Sequence, residues 1–208
     1  MEYEVRFYYP LKEYNNKLSI LNNIDGLNNN GRKYEKTSQF NHPNPEYNFY
    51  SKEIDGRFRV RITKSNINSQ CKISWKRRIE NTTETKINRE EEVEVIINID
   101  DYDNLIYILN NVIHMKEVEC YERYRTTFTN NEVEIALDEY PFGLALEIEA
   151  KTIDKAEQII EKYVKLLKLD YKDSYRLSWD DKYEELCKEQ NKEIYKHVLF
   201  DKDMPKIL

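Results

Sequence analysis

The chain opens on Glu2-Tyr3-Glu4-Val5-Arg6 and returns to the same pattern in Leu146-Glu147-Ile148-Glu149. In an extended strand, side chains at i and i+2 share a face. Glu2, Glu4 and Arg6 therefore line one face of the first stretch, with Tyr3, Val5 and Phe7 on the other. Glu147 and Glu149 likewise stand opposite Leu146 and Ile148, so the polar face of each strand is all charge. The sorting recurs outward from these two stretches. Arg57, Arg59 and Arg61 alternate with Phe58, Val60 and Ile62, while Lys76 and Arg78 lie opposite Ile73, Trp75 and Arg77. Glu92 and Glu94 oppose Val93, Val95 and Ile97. Arg123 and Arg125 flank Tyr124, and Glu134 and Asp138 alternate with Ile135 and Leu137. One such strand is what the solvated face of a sandwich shows. The same regularity in strand after strand predicts a closed barrel, with helices over its apolar faces and its charged faces turned onto a hydrated tunnel.

Eight strands are expected, near 2–8, 46–52, 57–64, 70–79, 89–98, 117–129, 132–138 and 144–151. The links at Asp55-Gly56, Asn66 to Ser69, Thr129 to Asn131 and Tyr140 to Gly143 are hairpin-like, so the sheet should be antiparallel. Four helices complete an α+β fold. Pro10 opens the first, which carries Leu11, Tyr14, Leu18, Leu21 and Ile24. Asp100 or Asp101 caps a second with a stripe of Leu105, Ile106, Leu109, Val112 and Ile113. Asp154 starts a third that faces Ile159, Ile160, Tyr163, Val164 and Leu167 inward. Ser178 and Asp181 have capping-box spacing at the head of a charged last helix running to about Tyr195. Residues 1–175 form the tunnel domain, and 176–208 a C-terminal helix and tail packed on it. The Asn-rich stretch 25–45 reads as a flexible loop or lid.

At 208 residues the chain is long enough for one sizeable core. Charged residues reach 35%, yet 17 Tyr, 7 Phe and 2 Trp argue against disorder. The net charge of −6 gives no global basic surface for nucleic acid, although the local basic strands suit a polyanion. Cys71, Cys120 and Cys187 are far apart and suit packing in a reducing, cytoplasmic setting. His42, His114 and His197 are as scattered, so zinc is not expected. No apolar run approaches a membrane span, and Met1 leads straight into the first strand without room for a signal peptide.

Two carboxylates about 5 Å apart repel by roughly 3 kcal/mol at an effective dielectric near 20. Glu2, Glu4, Glu92, Glu94, Glu147 and Glu149 together would therefore need cations. An all-carboxylate set suits hard ions, Mg²⁺ or Mn²⁺. Arg6, Arg57, Arg59, Arg61, Lys76, Arg78, Arg123 and Arg125 have the opposite need, which a chain of phosphates meets through arginine forks. Both halves in one tunnel suit phosphoryl transfer on a metal-chelated oligophosphate.

These motifs, in order over about residues 2–175, resemble the CYTH superfamily, also called triphosphate tunnel metalloenzymes. Its opening Glu-x-Glu-x-Lys is similar to Glu2-Tyr-Glu4-Val-Arg6, and its Leu-Arg-x-Arg strand to Phe58-Arg59-Val60-Arg61. Its next basic strand resembles Ser74 to Arg78. An Arg followed by alternating acids is similar to Arg89 leading to Glu92 and Glu94, in a register that could slip within Glu90 to Glu94. Lys-x-Arg-x-x-Tyr is similar to Arg123 through Phe128. Leu-Asp leading through Gly to Glu-x-Glu resembles Leu137-Asp138, Gly143 and Glu147-Ile148-Glu149, and a late Ser-Tyr pair resembles Ser174-Tyr175.

The resemblance implies an eight-stranded antiparallel tunnel in which Glu2, Glu4, Glu147 and Glu149 hold one or two Mg²⁺ or Mn²⁺ ions, assisted by Asp138 and by Glu92 or Glu94. It implies that Arg57, Arg59, Arg61, Lys76, Arg78, Arg123 and Arg125 grip the triphosphate, with Glu2, Glu4, Arg6, Glu147 and Glu149 as the catalytic set. Position 6 departs from the pattern, Arg replacing Lys; Arg keeps the charge but cannot lose its proton. Arg123 for Lys is a milder change of the same kind. The expected activity is metal-dependent hydrolysis of inorganic or organic triphosphate by a monomer or homodimer without a membrane partner. A 5′-triphosphate RNA end is a less favoured substrate. A class IV-type adenylyl cyclase and a non-catalytic polyphosphate or triphosphate binder are the alternatives.

Overall fold

The structure is a computed structural model that describes residues 2–48, 56–79 and 87–208. Eight antiparallel strands close into a barrel: β1 (Glu2–Tyr9), β2 (Asn28–Asn41), β3 (Gly56–Lys64), β4 (Ser69–Arg78), β5 (Asn88–Ile97), β6 (Lys116–Thr129), β7 (Val133–Tyr140) and β8 (Gly143–Ala150). Their order is β2-β3-β4-β5-β1-β8-β7-β6, and a long β2–β6 ladder shuts the ring. A two-residue strand, β9 (His197–Val198), lies parallel to β6.

The stretch expected as a loop or lid, 25–45, is mostly strand β2. Its residues lack the apolar alternation that marks β1 or β3, so little in the local sequence favours extension. It is held by its neighbours: its backbone pairs with β3 along Tyr34–Phe40 and with β6 along almost its whole length. Gly31, at φ 81°, supplies the left-handed turn in the register shift between Asn29 and Arg32. The strand expected at 46–52 is absent from its first residues, where Pro45–Tyr47 forms a 3₁₀ turn capped by Asn44; residues 49–52 lie outside the described residues.

Four helices flank the barrel: α1 (Tyr14–Asn22), α2 (Tyr102–Tyr107), α3 (Ala156–Leu166) and α4 (Trp179–Glu189). Ile159, Ile160, Tyr163 and Val164 of α3 bury against the outward Val5, Phe7, Leu146 and Ile148, and Leu21 of α1 joins the same cluster. Fully burying one such side chain contributes about 2 kcal/mol. A π-helical turn (Ile108–Val112) continues α2, and Leu109 packs with Phe40, Val60 and Cys71. Asn98, rather than Asp100 or Asp101, provides the cap there, accepting from the Asp100 N–H at 3.3 Å.

Helix α4 differs from the expectation of an outer cover. Its Trp179, Tyr183, Leu186 and Cys187 pack on Tyr121, Tyr140 and Ala145, whose register parity points them into the barrel. The helix therefore stops one end of the bore with aromatic rings. The Asp181 carboxylate accepts from the Ser178 N–H at 2.9 Å and from its hydroxyl at 2.6 Å, fixing the helix start. Just before it, the Tyr175 N–H donates to the Arg6 carbonyl at 2.8 Å and Asn88 donates to the Arg176 carbonyl at 3.0 Å. This segment bridges β1 and β5 where their ladder, Glu2–Glu4 against Asn88–Glu90, gives out. No helix among the described residues is long and apolar enough to cross a membrane.

Candidate functional site

Barrel closure converts strand parity into geometry. Glu4 pairs with Glu149, Arg6 with Glu147, Glu134 with Glu149, Lys76 with Glu92 and Arg125 with Asp138 across neighbouring strands. Inside is a cavity of about 260 Å³. Of the residues expected at the site, Glu2, Glu4, Arg6, Arg59, Arg61, Lys76, Glu92, Glu94, Arg123, Arg125, Glu147 and Glu149 line it, as does Glu134. Arg57, Arg78 and Asp138 are not on its wall. Arg57 and Arg78 gather instead around the buried Glu90, at 4.0 and 3.7 Å.

Asp138 sits behind the wall, fully buried. It accepts from Arg123 Nη1 at 2.8 Å and from Arg125 Nε at 2.6 Å. It is the middle of an ion-pair belt that runs around the barrel. Arg6 Nε donates to Glu147 Oε1 at 2.7 Å and Arg6 Nη2 to Glu4 Oε1 at 3.1 Å. Arg125 also bonds Glu147, and Arg123 Nε donates to Glu35 Oε2 at 2.8 Å. Burial alone would raise the Glu147 and Glu35 carboxyls, but Arg6 and Arg125 hold the first, and Arg123 and Arg61 the second, well below the usual carboxylate range.

The rest of the cavity is unbalanced, in opposite senses on its two sides. Glu149 makes no ion pair among the described residues. Burial, then Glu2 and Glu4, push its carboxyl up to about 8, against the pull of Lys76. Glu2 is raised by burial and by a hydrogen bond shared with Glu92, although Lys76 Nζ donates to it at 2.5 Å. Facing this wall, Arg59 is buried with its Nε lacking a hydrogen-bond partner among the described residues. Beside it the Tyr121 phenol, which burial would raise, is drawn down to about 7 by Arg61, Arg123 and Arg59. A carboxyl that resists ionisation and a phenol that favours it report negative and positive potential within one small space.

Several lining or supporting residues carry weaker signals in the sequence. Lys72, four residues before Lys76, and Glu90, two before Glu92, share their parity, so following the alternation back along each strand finds them. Tyr121 shares the parity of Arg123 in the same way. Glu35 was hidden because its segment lacked a strand signature. Tyr140 shares the parity of Asp138 on β7, whereas Trp179 reaches the cavity from the α4 stopper, an arrangement with no local signal.

The carboxylate wall suits a hard divalent ion in its chemistry. It offers only oxygen donors, and Glu149 with Glu2, Glu4 and Glu134 carries more negative charge than its neighbours cancel. No three His, Cys, Asp or Glu among the described residues already converge as a metal site. The raised groups also bear on stability. A carboxyl whose folded pKa lies above its ordinary 4.5 stabilises the fold while protonated and loses that contribution as pH rises through the folded value. Glu149 near 8, Glu119 (pushed up to about 7 by burial, then Asp180) and Glu2 all act this way. The lowered Glu35 and Glu147 act only below about pH 4.5, and Tyr121 only above about 7. Metal-free protein should therefore melt at a lower temperature at pH 7 than at pH 5, and Mg²⁺ or Mn²⁺ at pH 7 should restore the loss. A flat melting profile over that window by differential scanning fluorimetry would contradict the unbalanced carboxylate wall.

No protein-family model and no curated protein sequence matches the chain. Solved structures share its fold. A protein of Pyrococcus horikoshii OT3 is 24% identical, covering 91% of this chain and 99% of that one, with a TM-score of 0.63. A candidate adenylyl cyclase from Hippeastrum, described by its dominant triphosphatase activity, is 15% identical over 93% of this chain and 97% of its own (TM-score 0.59). A candidate adenylate cyclase from Vibrio parahaemolyticus is 14% identical over 86% and 96% (TM-score 0.61). The shared architecture, a closed eight-stranded antiparallel barrel with flanking helices, is the one that the resemblance to the CYTH superfamily implies.

Proposed function

We propose that this chain is a CYTH-type enzyme, a divalent-metal-dependent hydrolase that removes the terminal phosphate of inorganic triphosphate or of an organic triphosphate held in the tunnel. The observation that carries the reading is the split cavity: an under-neutralised carboxylate wall at Glu2, Glu4 and Glu149 faces an anion-seeking wall at Arg59 and Arg61. The triphosphatase described for the Hippeastrum protein of the same fold supports it.

In this reading Glu2, Glu4 and Glu149 hold Mg²⁺ or Mn²⁺, with Glu92, Glu94, Glu134 and Glu147 around them. When bound, the ion neutralises charge on a phosphoryl oxygen and fixes its orientation. Arg59, Arg61, Lys76 and Arg125 grip the phosphate oxygens and stabilise the charge that develops on transfer. Arg6 keeps Glu147 and Glu4 in place between β8 and β1. Water attacks the terminal phosphorus, the bond to the bridging oxygen breaks, and the carboxylate wall takes the water proton. The three cysteines are free and buried, in keeping with the cytoplasmic setting we propose.

The names of the two cyclase candidates keep a second reading open, attack by a substrate 3′-hydroxyl on the α-phosphorus of ATP to give cyclic AMP. Product analysis separates the two. The protein is incubated with inorganic triphosphate, ATP and thiamine triphosphate, each with Mg²⁺, Mn²⁺ or chelator. Metal-dependent phosphate release is the expected result. Cyclic AMP with diphosphate would replace the hydrolase with a cyclase. A raised melting temperature with neither product would reduce the protein to a triphosphate binder.

A further inference from the structure

Tyr121 lines the cavity among the cations rather than the acids. Its side chain is fully buried, wedged between Trp179 of α4, with ring centroids 4.3 Å apart, and Tyr140 of β7, at 6.0 Å. Tyr183 of α4 belongs to the same cluster, and a phenylalanine would pack there as well. The hydroxyl is what needs explaining. Arg61 Nη2 donates to it at 3.4 Å, while Arg61 Nε donates to Thr37 Oγ1 at 3.0 Å and lies 3.7 Å from Glu35. Arg59 on the same strand and Arg123 on β6 complete the charged surroundings. Arg123 is neutralised by Glu35 and Asp138, and its Nη1 donates to the Tyr140 hydroxyl at 3.2 Å. Glu119, two residues back on β6, has Asp180 and Arg57 as its charged neighbours. Arg59 joins no ion pair among the described residues, and its Nε has no partner there.

Guanidinium groups donate hydrogen bonds and accept none. The Tyr121 oxygen can therefore accept from its neighbours, but the arginines offer nothing to its proton. That proton is either given up, leaving a counter-charge to Arg59 and Arg61, or donated to a guest in the cavity. Burial would keep it on the oxygen, yet Arg61, Arg123 and Arg59 draw the group down to about 7, so both forms are accessible near neutral pH. We propose that Tyr121 is a ligand-binding residue with two states, a counter-ion to Arg59 and Arg61 in the empty cavity and a hydrogen-bond donor to a phosphate oxygen in the filled one. Binding is then coupled to the uptake of a proton from solvent by the phenolate oxygen, and affinity falls as pH rises through the range in which the phenol ionises. The inference rests on the triphosphate reading of the cavity and adds to it a residue and a proton.

The test is isothermal titration of the metal-free full chain with inorganic triphosphate, on the wild type and on Tyr121→Phe. It is run at about pH 6 and about pH 8, on either side of the phenol's range, in buffers of different ionisation enthalpy. At the lower pH the variant should bind about tenfold more weakly, the size of one charge-assisted hydrogen bond. At the higher pH the gap should close to within about twofold, because the wild type must first protonate its phenolate. There the wild type should take up about one proton more per triphosphate than the variant, the ligand's own ionisation being common to both. Ultraviolet absorption gives a second readout: a tyrosinate band in the free wild type at the higher pH, absent from the variant and bleached by triphosphate. The same affinity gap at both pH values, equal proton uptake, or a band that triphosphate leaves unchanged would overturn the role of Tyr121 and leave the triphosphate reading intact. If the variant does not fold, the wild-type band decides the question alone. Binding of triphosphate by neither protein would defeat the triphosphate reading and this inference with it.

Discussion

Replacing Glu149 with Gln should lower metal-dependent turnover by at least about a hundredfold, the cost of removing one preorganised electrostatic group from a phosphoryl-transfer site. The same change should stabilise the metal-free protein near neutral pH. Glu149 is a buried carboxyl pressed by Glu2 and Glu4 and pushed up to about 8. The neutral amide keeps its shape and removes that repulsion. Loss of activity with gain of stability is the signature of a group held in place for a ligand that the protein alone does not supply. Titration with Mn²⁺ gives a readout independent of turnover: affinity should fall in the variant. Unchanged Mn²⁺ affinity, or a variant less stable than wild type, would remove Glu149 from the metal-binding set.

Replacing Asp138 with Asn should do the reverse, lowering stability far more than metal affinity. Its carboxylate is fully buried and is shared by Arg123 and Arg125. Taking one partner from a buried ion pair costs about 3–5 kcal/mol, because the remaining charge is stranded in low dielectric. For a chain of 208 residues that corresponds to a fall of roughly 10 °C in melting temperature. Glu139→Gln is the control, since it breaks the partly exposed Arg32 pair (2.7 Å) and should change stability by less than about 1 kcal/mol. If the Asp138→Asn variant melts like wild type but binds Mn²⁺ poorly, Asp138 returns to the metal site, which the family resemblance implies and the burial argues against.

The contrast between these two acids shows what alternation alone can resolve. Glu149 and Asp138 carry the same signature in the sequence, an acid opposite an apolar neighbour on a short strand. Parity places both inside the barrel. It cannot distinguish the depth at which each stands or the partner it meets, because Arg123, Arg125, Glu2 and Glu4 reach them from other strands. Arg57 and Arg59 differ in the same way: one gathers near Glu90, and the other faces the cavity with an Nε that has no partner among the described residues. Strand β2 is the opposite case. Its residues Asn28–Asn41 carry almost no extended signature, and its position follows from the hydrogen-bonding edges that β3 and β6 present to it.

Strand identity for β1 and β3 to β8, the inward direction of their charges and the opposed acidic and basic walls were all written in the local sequence, since a period of two residues is a property of the extended backbone itself. Three features were decided only by tertiary structure. These are the closure of the ring through β2, the α4 stopper that leaves one mouth of the bore open, and the division of the charges into those that neutralise each other and those left unbalanced. Each depends on side chains far apart in sequence arriving within a few ångströms of one another. Electrostatic energy depends on that distance and on burial, which no single strand carries.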